Sequence, residues 1–443
     1  MGKMAGKDTR AQFRTRWYHR KPAYWFRKDR ARPVGHREAP EVVRFDPEPG
    51  IVPSAKPPVR IFLGTEPLQA RAERVFIWSV KAHRDPARAY EIYLMKDLAG
   101  FDRTGWTTGF TNYRYAIPHL AGEQGRAIYN DVDQIYLGDP AEMFDLDMGD
   151  ASILCVNQGE TSVSLLDCAK MAPHWRLADA QNGYKRTHFL KIIADEKLWG
   201  QLPPEWNVLD GDLATDTAKC YHFTTLRTQP WKPFDDQLHY AEHPHADVWR
   251  KLELDANAAR FNAFTRERPS PYFAASLERL KTLAATPLKS DVREHAAQIG
   301  KLATAAGAEI VRDYAARFED DAIASAGVVL TRRDEDEAPF EQPISGRYDG
   351  VVAVDVVSAL AEEDVPWALD ELLNAAERFF YISVPTDAAL MEESAQALPS
   401  KWWRLQLELA KARNPGGHTQ LTTRERNGEF RKYLVGGRHA EAA

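Results

Sequence analysis

Two apolar runs, Val59-Arg60-Ile61-Phe62-Leu63 and Tyr90-Glu91-Ile92-Tyr93-Leu94-Met95, bracket a segment in which Leu68, Ala72, Val75, Phe76 and Val80 recur at helical spacing. Strand side chains alternate with period two and helix side chains with period 3.6, so the order reads strand, helix, strand. Such a unit closes almost always as a right-handed crossover between parallel strands, and parallel sheets collect ligands at their carboxyl ends. The chain is therefore expected to form an α/β layer domain. Further strands are expected at residues 127–130, 152–156 and 162–166, each bounded by charged or turn-forming residues.

Pro47, Pro53, Pro57 and Pro58 separate this domain from what precedes it, which sets a basic aromatic tail over 1–57 and the α/β domain over 58–265. Residues 266–325 are rich in Ala, Leu, Lys and Glu and are expected to form a helical bridge. A second, Rossmann-like α/β pattern then covers 326–443. It starts at Gly327-Val328-Val329-Leu330, passes an acidic loop at 334–337, and continues with strands at 348–357 and 379–384 around a helix. Trp402, Trp403 and Arg404, with Asn414-Pro415-Gly416-Gly417-His418, read as a core aromatic pair followed by a tight turn, or as part of a partner surface.

At 443 residues, 44% apolar and 28% charged, the chain suits two or three globular domains and excludes a disordered or fibrous protein. No apolar run approaches the roughly 20 residues that a membrane-spanning helix needs, and the best, at 351–361, is broken by Asp355. Three cysteines, Cys155, Cys168 and Cys220, are odd in number and far apart, and no secretory signal is evident, so a cytoplasmic location is expected. The net charge of −6 hides an asymmetry: residues 1–57 carry +8 and the remainder −14. Phe13, Trp17, Tyr18, Tyr24, Trp25 and Phe26 interleave with the tail's cations, a composition that suits anionic lipid headgroups or a phosphorylated polymer, and equally a solvated tail. Nucleic acid is not an expected partner, because the acidic body opposes attraction to phosphates.

The most informative segment is Ala127-Ile128-Tyr129-Asn130-Asp131-Val132-Asp133-Gln134. In a continuing strand, residues i and i+2 share a face, so Asp131 and Asp133 would project together at the sheet's carboxyl edge. Carboxylates suit hard cations such as Mg²⁺ or Mn²⁺, which neutralise a diphosphate. Taken alone, the pair also fits a solvated turn.

The segments Ile61-Phe62-Leu63-Gly64-Thr65-Glu66, Ile117-Pro118, Tyr129-Asn130-Asp131-Val132-Asp133, Ser162-Val163-Ser164-Leu165-Leu166-Asp167, Leu202-Pro203-Pro204-Glu205-Trp206-Asn207 and His222-Phe223-Thr224-Thr225-Leu226-Arg227-Thr228-Gln229-Pro230-Trp231 occur in this order. Across residues 60–235 the chain resembles bacterial family 8 glycosyltransferases. The resemblance implies a nucleotide-diphosphosugar transferase (GT-A) fold and retaining transfer of a hexose from a nucleotide-diphosphate sugar, a UDP-sugar first among them, to a glycan or glycolipid acceptor. It implies Asp131, Asp133 and His222 as ligands of Mn²⁺ or Mg²⁺. Gly64, Thr65 and Glu66 would lie against the donor's base and ribose, although Gly-Thr-Glu-Pro also reads as a helix start. Arg114 falls where the family often has an arginine near the donor, and a solvated surface arginine fits its sequence as well. Asp167 is the candidate catalytic residue, or the cap of the next turn.

Two departures stand out. Gln229 replaces the lysine expected before Pro-Trp, leaving Arg227 or Lys232 to reach the diphosphate. No Asp-Gln-Asp motif occurs between Asp179 and Leu202, so no nucleophile is named.

Tyr348-Asp349-Gly350-Val351-Val352-Ala353-Val354-Asp355, the acidic and apolar helix that follows, and the strand at 379–385 resemble the fourth strand, helix and fifth strand of class I S-adenosylmethionine-dependent methyltransferases. The glycine-rich loop that cradles that cofactor has no counterpart: residues 290–319 hold only Gly300 and Gly307. A degenerate domain that does not use S-adenosylmethionine is expected. The rival readings are a methyltransferase with a sugar-recognition domain and a non-catalytic glycosyltransferase-like binding protein.

Overall fold

A computed structural model describes residues 37–104, 106, 108–210, 217–226, 228–231, 243–284, 292–314, 318, 328–332, 338–386, 398–424 and 429–435. The aromatic cluster of the tail, Arg227, Lys232 and the acidic loop at 334–337 lie outside them. The chain divides into two compact units, 1–256 and 257–443.

The first unit contains strands β1 (Glu41–Phe45), β2 (Val59–Gly64), β3 (Tyr90–Met95), β4 (Arg126–Asp131), β5 (Gln134–Tyr136), β6 (Ile153–Cys155), β7 (Val163–Asp167), β8 (Trp199–Gln201), β9 (Val208–Leu209) and β10 (Cys220–His222). Its main sheet has the order β1-β3-β2-β4-β7-β6-β8, and a small second sheet has the order β5-β10-β9. The mixed α/β architecture expected from the sequence is thus present. β2 pairs parallel with both β3 and β4, and the helix Ala70–His83 connects β2 to β3 as the crossover. That helix turns Ala72, Val75, Phe76 and Val80 inward, as their spacing predicts, and burying each of the larger three contributes about 1.5–3 kcal/mol.

Two differences from the sequence reading matter. The sheet begins before Val59, because β1, inside the segment assigned to the tail, pairs antiparallel with β3 along its edge. β7 runs antiparallel to β4, with Arg126 opposite Asp167 and Asn130 opposite Val163, so the carboxyl end of β7 lies at the opposite end of β4 from Asp131.

The second unit holds β11 (Ile310–Asp313), β12 (Val329–Arg332), β13 (Tyr348–Val354), β14 (Ala376–Pro385), β15 (His418–Arg424) and β16 (Phe430–Val435), ordered β12-β11-β13-β14-β15-β16. All neighbours are parallel except β15 and β16. The expected bridge is helical at Phe273–Ala284 and Val292–Ala306 but also contains β11, an inner strand of this sheet. Helix-favouring composition concealed it because Gly307, at φ 61°, ends the helix and only four residues follow in the sheet. Trp402 and Trp403 are both buried in the helix Ser400–Arg413, and Gly416 and Gly417 adopt positive φ, in keeping with an aromatic core pair and a tight turn.

Candidate metal centre

β4 ends at Asp131, and the chain does not continue as a strand to Asp133. Val132 and Asp133 form a turn, with Val132 N donating to Gly64 O at 3.0 Å and Asp131 N to Ser162 O at 3.2 Å. Asn130 Nδ2 donates to Gln134 Oε1 at 2.6 Å, bridging that turn from beneath. β5 then leaves for the small sheet, where it pairs antiparallel with β10 and sets His222 opposite Gln134. Phe223 N donates to Asp133 O at 2.9 Å. This register is what brings a distant histidine beside the carboxylates. Ligand atoms of Asp131, Asp133 and His222 lie within 4.8 Å of one another.

His222 Nδ1 faces Asn207 Oδ1 at 2.9 Å, an acceptor that requires Nδ1 to carry the hydrogen. The other ring nitrogen, Nε2, stands 3.1 Å from Asp133 Oδ1. A nitrogen lone pair facing a carboxylate oxygen is tenable only with a cation between them, a proton or a metal ion, and the donor set of two carboxylates and one imidazole fits Mn²⁺ or Mg²⁺. Burial works against the imidazolium, but the charges of Asp133, Asp131 and Glu160 outweigh it and raise the pKa of His222.

Asp131 is held differently. Arg114 Nη2 donates to its Oδ1 at 2.7 Å and Oδ2 at 3.1 Å, and the Tyr129 hydroxyl donates to Oδ1. Arg114 is buried, not solvated; its Nη1 donates to Thr161 Oγ1 at 3.0 Å and its guanidinium lies 4.4 Å from the Tyr129 ring centroid. Burial raises the pKa of Asp131, Arg114 opposes the shift, and Asp133 adds to it.

The remaining expected residues separate into groups. A Cβ on Gly64 would stand 2.3 Å from the Tyr129 hydroxyl and 2.6 Å from Phe110 Cδ2, so the absent side chain makes room for Tyr129 to reach Asp131. Thr65 Oγ1 is engaged inside the protein, donating to Glu73 Oε2 at 2.9 Å. Glu66 is half-buried, and its carboxylate accepts no hydrogen bond among the described residues. Asp167 accepts from Lys170 N at 3.1 Å as the cap of the helix Cys168–Met171. Five strand positions, roughly 17 Å, separate its level on β4 from Asp131. The structure does not bring it to the carboxylates, because β7 is antiparallel.

Sequence reasoning passed over four contributors. Asn207 and Ser162 flank His222, with Ser162 Oγ at 3.4 Å from its Nδ1. Gln229, noted only as a replaced lysine, donates from Nε2 to Asp133 Oδ2 at 3.3 Å and to Phe223 O at 2.8 Å. Glu160 accepts from Ser162 N, and that bond with the charges of His222 and Arg186 lowers its pKa against the opposing effect of burial. The available signal was that Asn207 and Ser162 lie within the segments that carry the resemblance.

No family model matches this chain. Protein CDI of Arabidopsis thaliana is 28% identical over 234 residues, covering 44% of this chain and 86% of that protein. The similar solved structures include three glycosyltransferases. They are the bifunctional WbbM (TM-score 0.35, 14% identity, 46% of this chain and 53% of that one), the galactosyltransferase LgtC with donor and acceptor sugar analogs (TM-score 0.32, 12% identity, 44% and 95%), and GlyE of Streptococcus pneumoniae TIGR4 (TM-score 0.34, 13% identity, 81% and 100%). The chain thus spans about half the length of WbbM. The first unit is thus a mixed α/β fold in which Asp131 ends the inner strand β4 and Asp133 follows in the next turn.

Proposed function

We propose that the first unit is a metal-dependent, retaining glycosyltransferase that moves a hexose from a nucleotide-diphosphate sugar, a UDP-sugar first among them, to a glycan or glycolipid acceptor. The observation that carries this reading is the convergence of Asp131, Asp133 and His222 at the end of β4. These three side chains would hold a divalent cation, whose charge would neutralise a donor's diphosphate. Asn207 fixes the tautomer of His222 so that Nε2 is the ligating atom, and Gln229 orients Asp133 from the other side. Arg114 pairs with Asp131 and opposes the rise in its pKa that burial causes. Glu66, half-buried beyond β2, is the acceptor for hydrogen bonds from base or ribose. Arg227 and Lys232 remain the cations proposed to reach the diphosphate.

Turnover of a panel of nucleotide sugars with Mn²⁺ tests the reading. Asp133→Asn should abolish metal-dependent turnover, and undiminished turnover in that variant would overturn the assignment.

One observation favours a second reading, a binding protein of the same fold. The helix Arg186–Asp195, in the interval where an Asp-Gln-Asp motif is expected, has no acidic residue in its first turn. Nucleotide-sugar binding without any turnover would select this reading.

For the second unit we propose that S-adenosylmethionine is not bound. β11 lies between β12 and β13, at the switch in strand order where such sheets take ligands, yet the chain continues as Tyr314-Ala315-Ala316-Arg317-Phe318 without a glycine. Micromolar binding by calorimetry would refute this. No described helix is long and apolar enough to cross a membrane. We propose a cytoplasmic protein with peripheral membrane contact through the basic tail, tested by cosedimentation with anionic vesicles with and without residues 1–36.

A further inference from the structure

The backbone that carries His222 is held from two sides. On one, Phe223 N donates to Asp133 O at 2.9 Å, and Gln229 Nε2 ties Phe223 O to Asp133 Oδ2 at 2.8 and 3.3 Å. On the other stands Asp210, just beyond β9. Its backbone N donates to His222 O at 3.2 Å. Its carboxylate gathers Thr224 N at 3.1 Å, His243 Nε2 at 3.2 Å, Thr225 Oγ1 at 2.8 Å and the Thr224 hydroxyl. Asp210 does so at φ 33°, a left-handed conformation that aspartate and asparagine tolerate better than other side chains.

The geometry points to Asp210 as a positioning residue for the metal centre. With its carboxylate on Thr224, Thr225 and His243 and its backbone N on His222 O, it fixes the chain on both sides of Phe223, and so the angle at which His222 and Gln229 meet Asp133. Its own oxygens are occupied by these donors, so it acts through His222 and Gln229 and does not touch the cation. The inference rests on the proposed function, in which Asp131, Asp133 and His222 hold a divalent ion. It goes further in naming what holds the imidazole in place, since sequence alone joins Asp210 to nothing.

Two variants approach the same contact from opposite ends. Asp210→Asn keeps a residue tolerant of the left-handed backbone but removes the charge and leaves one acceptor oxygen for four donors, so that the threonine hydroxyls must turn to accept from its amide. Thr225→Val keeps shape and removes one donor. Free Mn²⁺ is followed by electron paramagnetic resonance as each full-length protein is titrated, with near-ultraviolet circular dichroism reporting the native fold. Asp210→Asn is expected to weaken Mn²⁺ affinity by about 10- to 100-fold, and Thr225→Val by a smaller factor, with the dichroism unchanged. A purely structural residue would lower the melting temperature and leave the affinity of the folded protein unchanged; that result overturns the inference. If the wild-type protein binds no Mn²⁺, the reading of the metal centre itself fails and this inference falls with it. If wild type binds and both variants bind equally well, the inference alone fails.

Discussion

Arg114 presents one guanidinium nitrogen to both carboxylate oxygens of Asp131, at 2.7 and 3.1 Å. Both groups are shielded from solvent, so each carries the other's desolvation cost, and removing one partner of such a pair typically costs about 3–5 kcal/mol. Arg114→Met is therefore expected to destabilise the metal-free protein by about that amount. Mn²⁺ should then raise its melting temperature by more than it raises that of the wild type, because the ion replaces the missing cation. Equal metal-free stabilities in thermal denaturation would contradict this.

Gly64 faces the Tyr129 ring, and any Cβ would overlap the phenol and Phe110. Gly64→Ala should cost about 1–3 kcal/mol by overpacking and push the Tyr129 hydroxyl off Asp131. Denaturant titration reads the first effect and weaker Mn²⁺ binding the second.

Asp167 supplies the opposite control. As a helix cap far from the carboxylates, Asp167→Ala should cost about 1 kcal/mol in stability and leave Mn²⁺ affinity and donor turnover at the wild-type level. A loss of turnover in a folded variant would restore it to the catalytic machinery.

In the second unit, Asp364 is fully buried and accepts from Ser270 N, Ser270 Oγ and Trp367 Nε1 at 2.9, 2.6 and 2.9 Å. Burial nevertheless raises its pKa, against the lowering effect of these bonds and with Glu363 adding to the rise. A carboxyl whose folded pKa exceeds its unfolded value of about 4 contributes stability at lower pH and loses it as pH climbs through the folded pKa. Asp364→Asn removes the charge and keeps an acceptor for Ser270 N and Trp367. Its stability relative to wild type should rise with pH from about 4 upward and then level, as measured by denaturant titration across pH. A relative stability that falls over that range would contradict the account.

The strands at residues 59–63 and 90–95 and the helix between them were legible because long apolar runs and a 3.6 period are local signals. β5, β9 and β10 were not: each spans two or three residues, too short for periodicity, and they exist only because they pair with one another. Asp131 and Asp133 were readable as a pair, but the turn at Val132 that aims them comes from the bonds of Asn130 and Gly64, which lie in tertiary structure. Strand direction was the costliest omission. Sequence does not state that β7 is antiparallel to β4, and this alone moved Asp167 away from the site and brought Thr161 and Ser162 to it. The resemblance, not spacing, supplied His222; the Gln134–His222 register accounts for its arrival.

The most direct measurement is a crystal soaked with MnCl₂ and recorded near the manganese absorption edge. An anomalous peak within coordinating distance of Asp131, Asp133 and His222 Nε2 is the result expected. Saturating Mn²⁺ with no peak there, or with a peak only at other residues, would contradict a metal centre built from these three side chains.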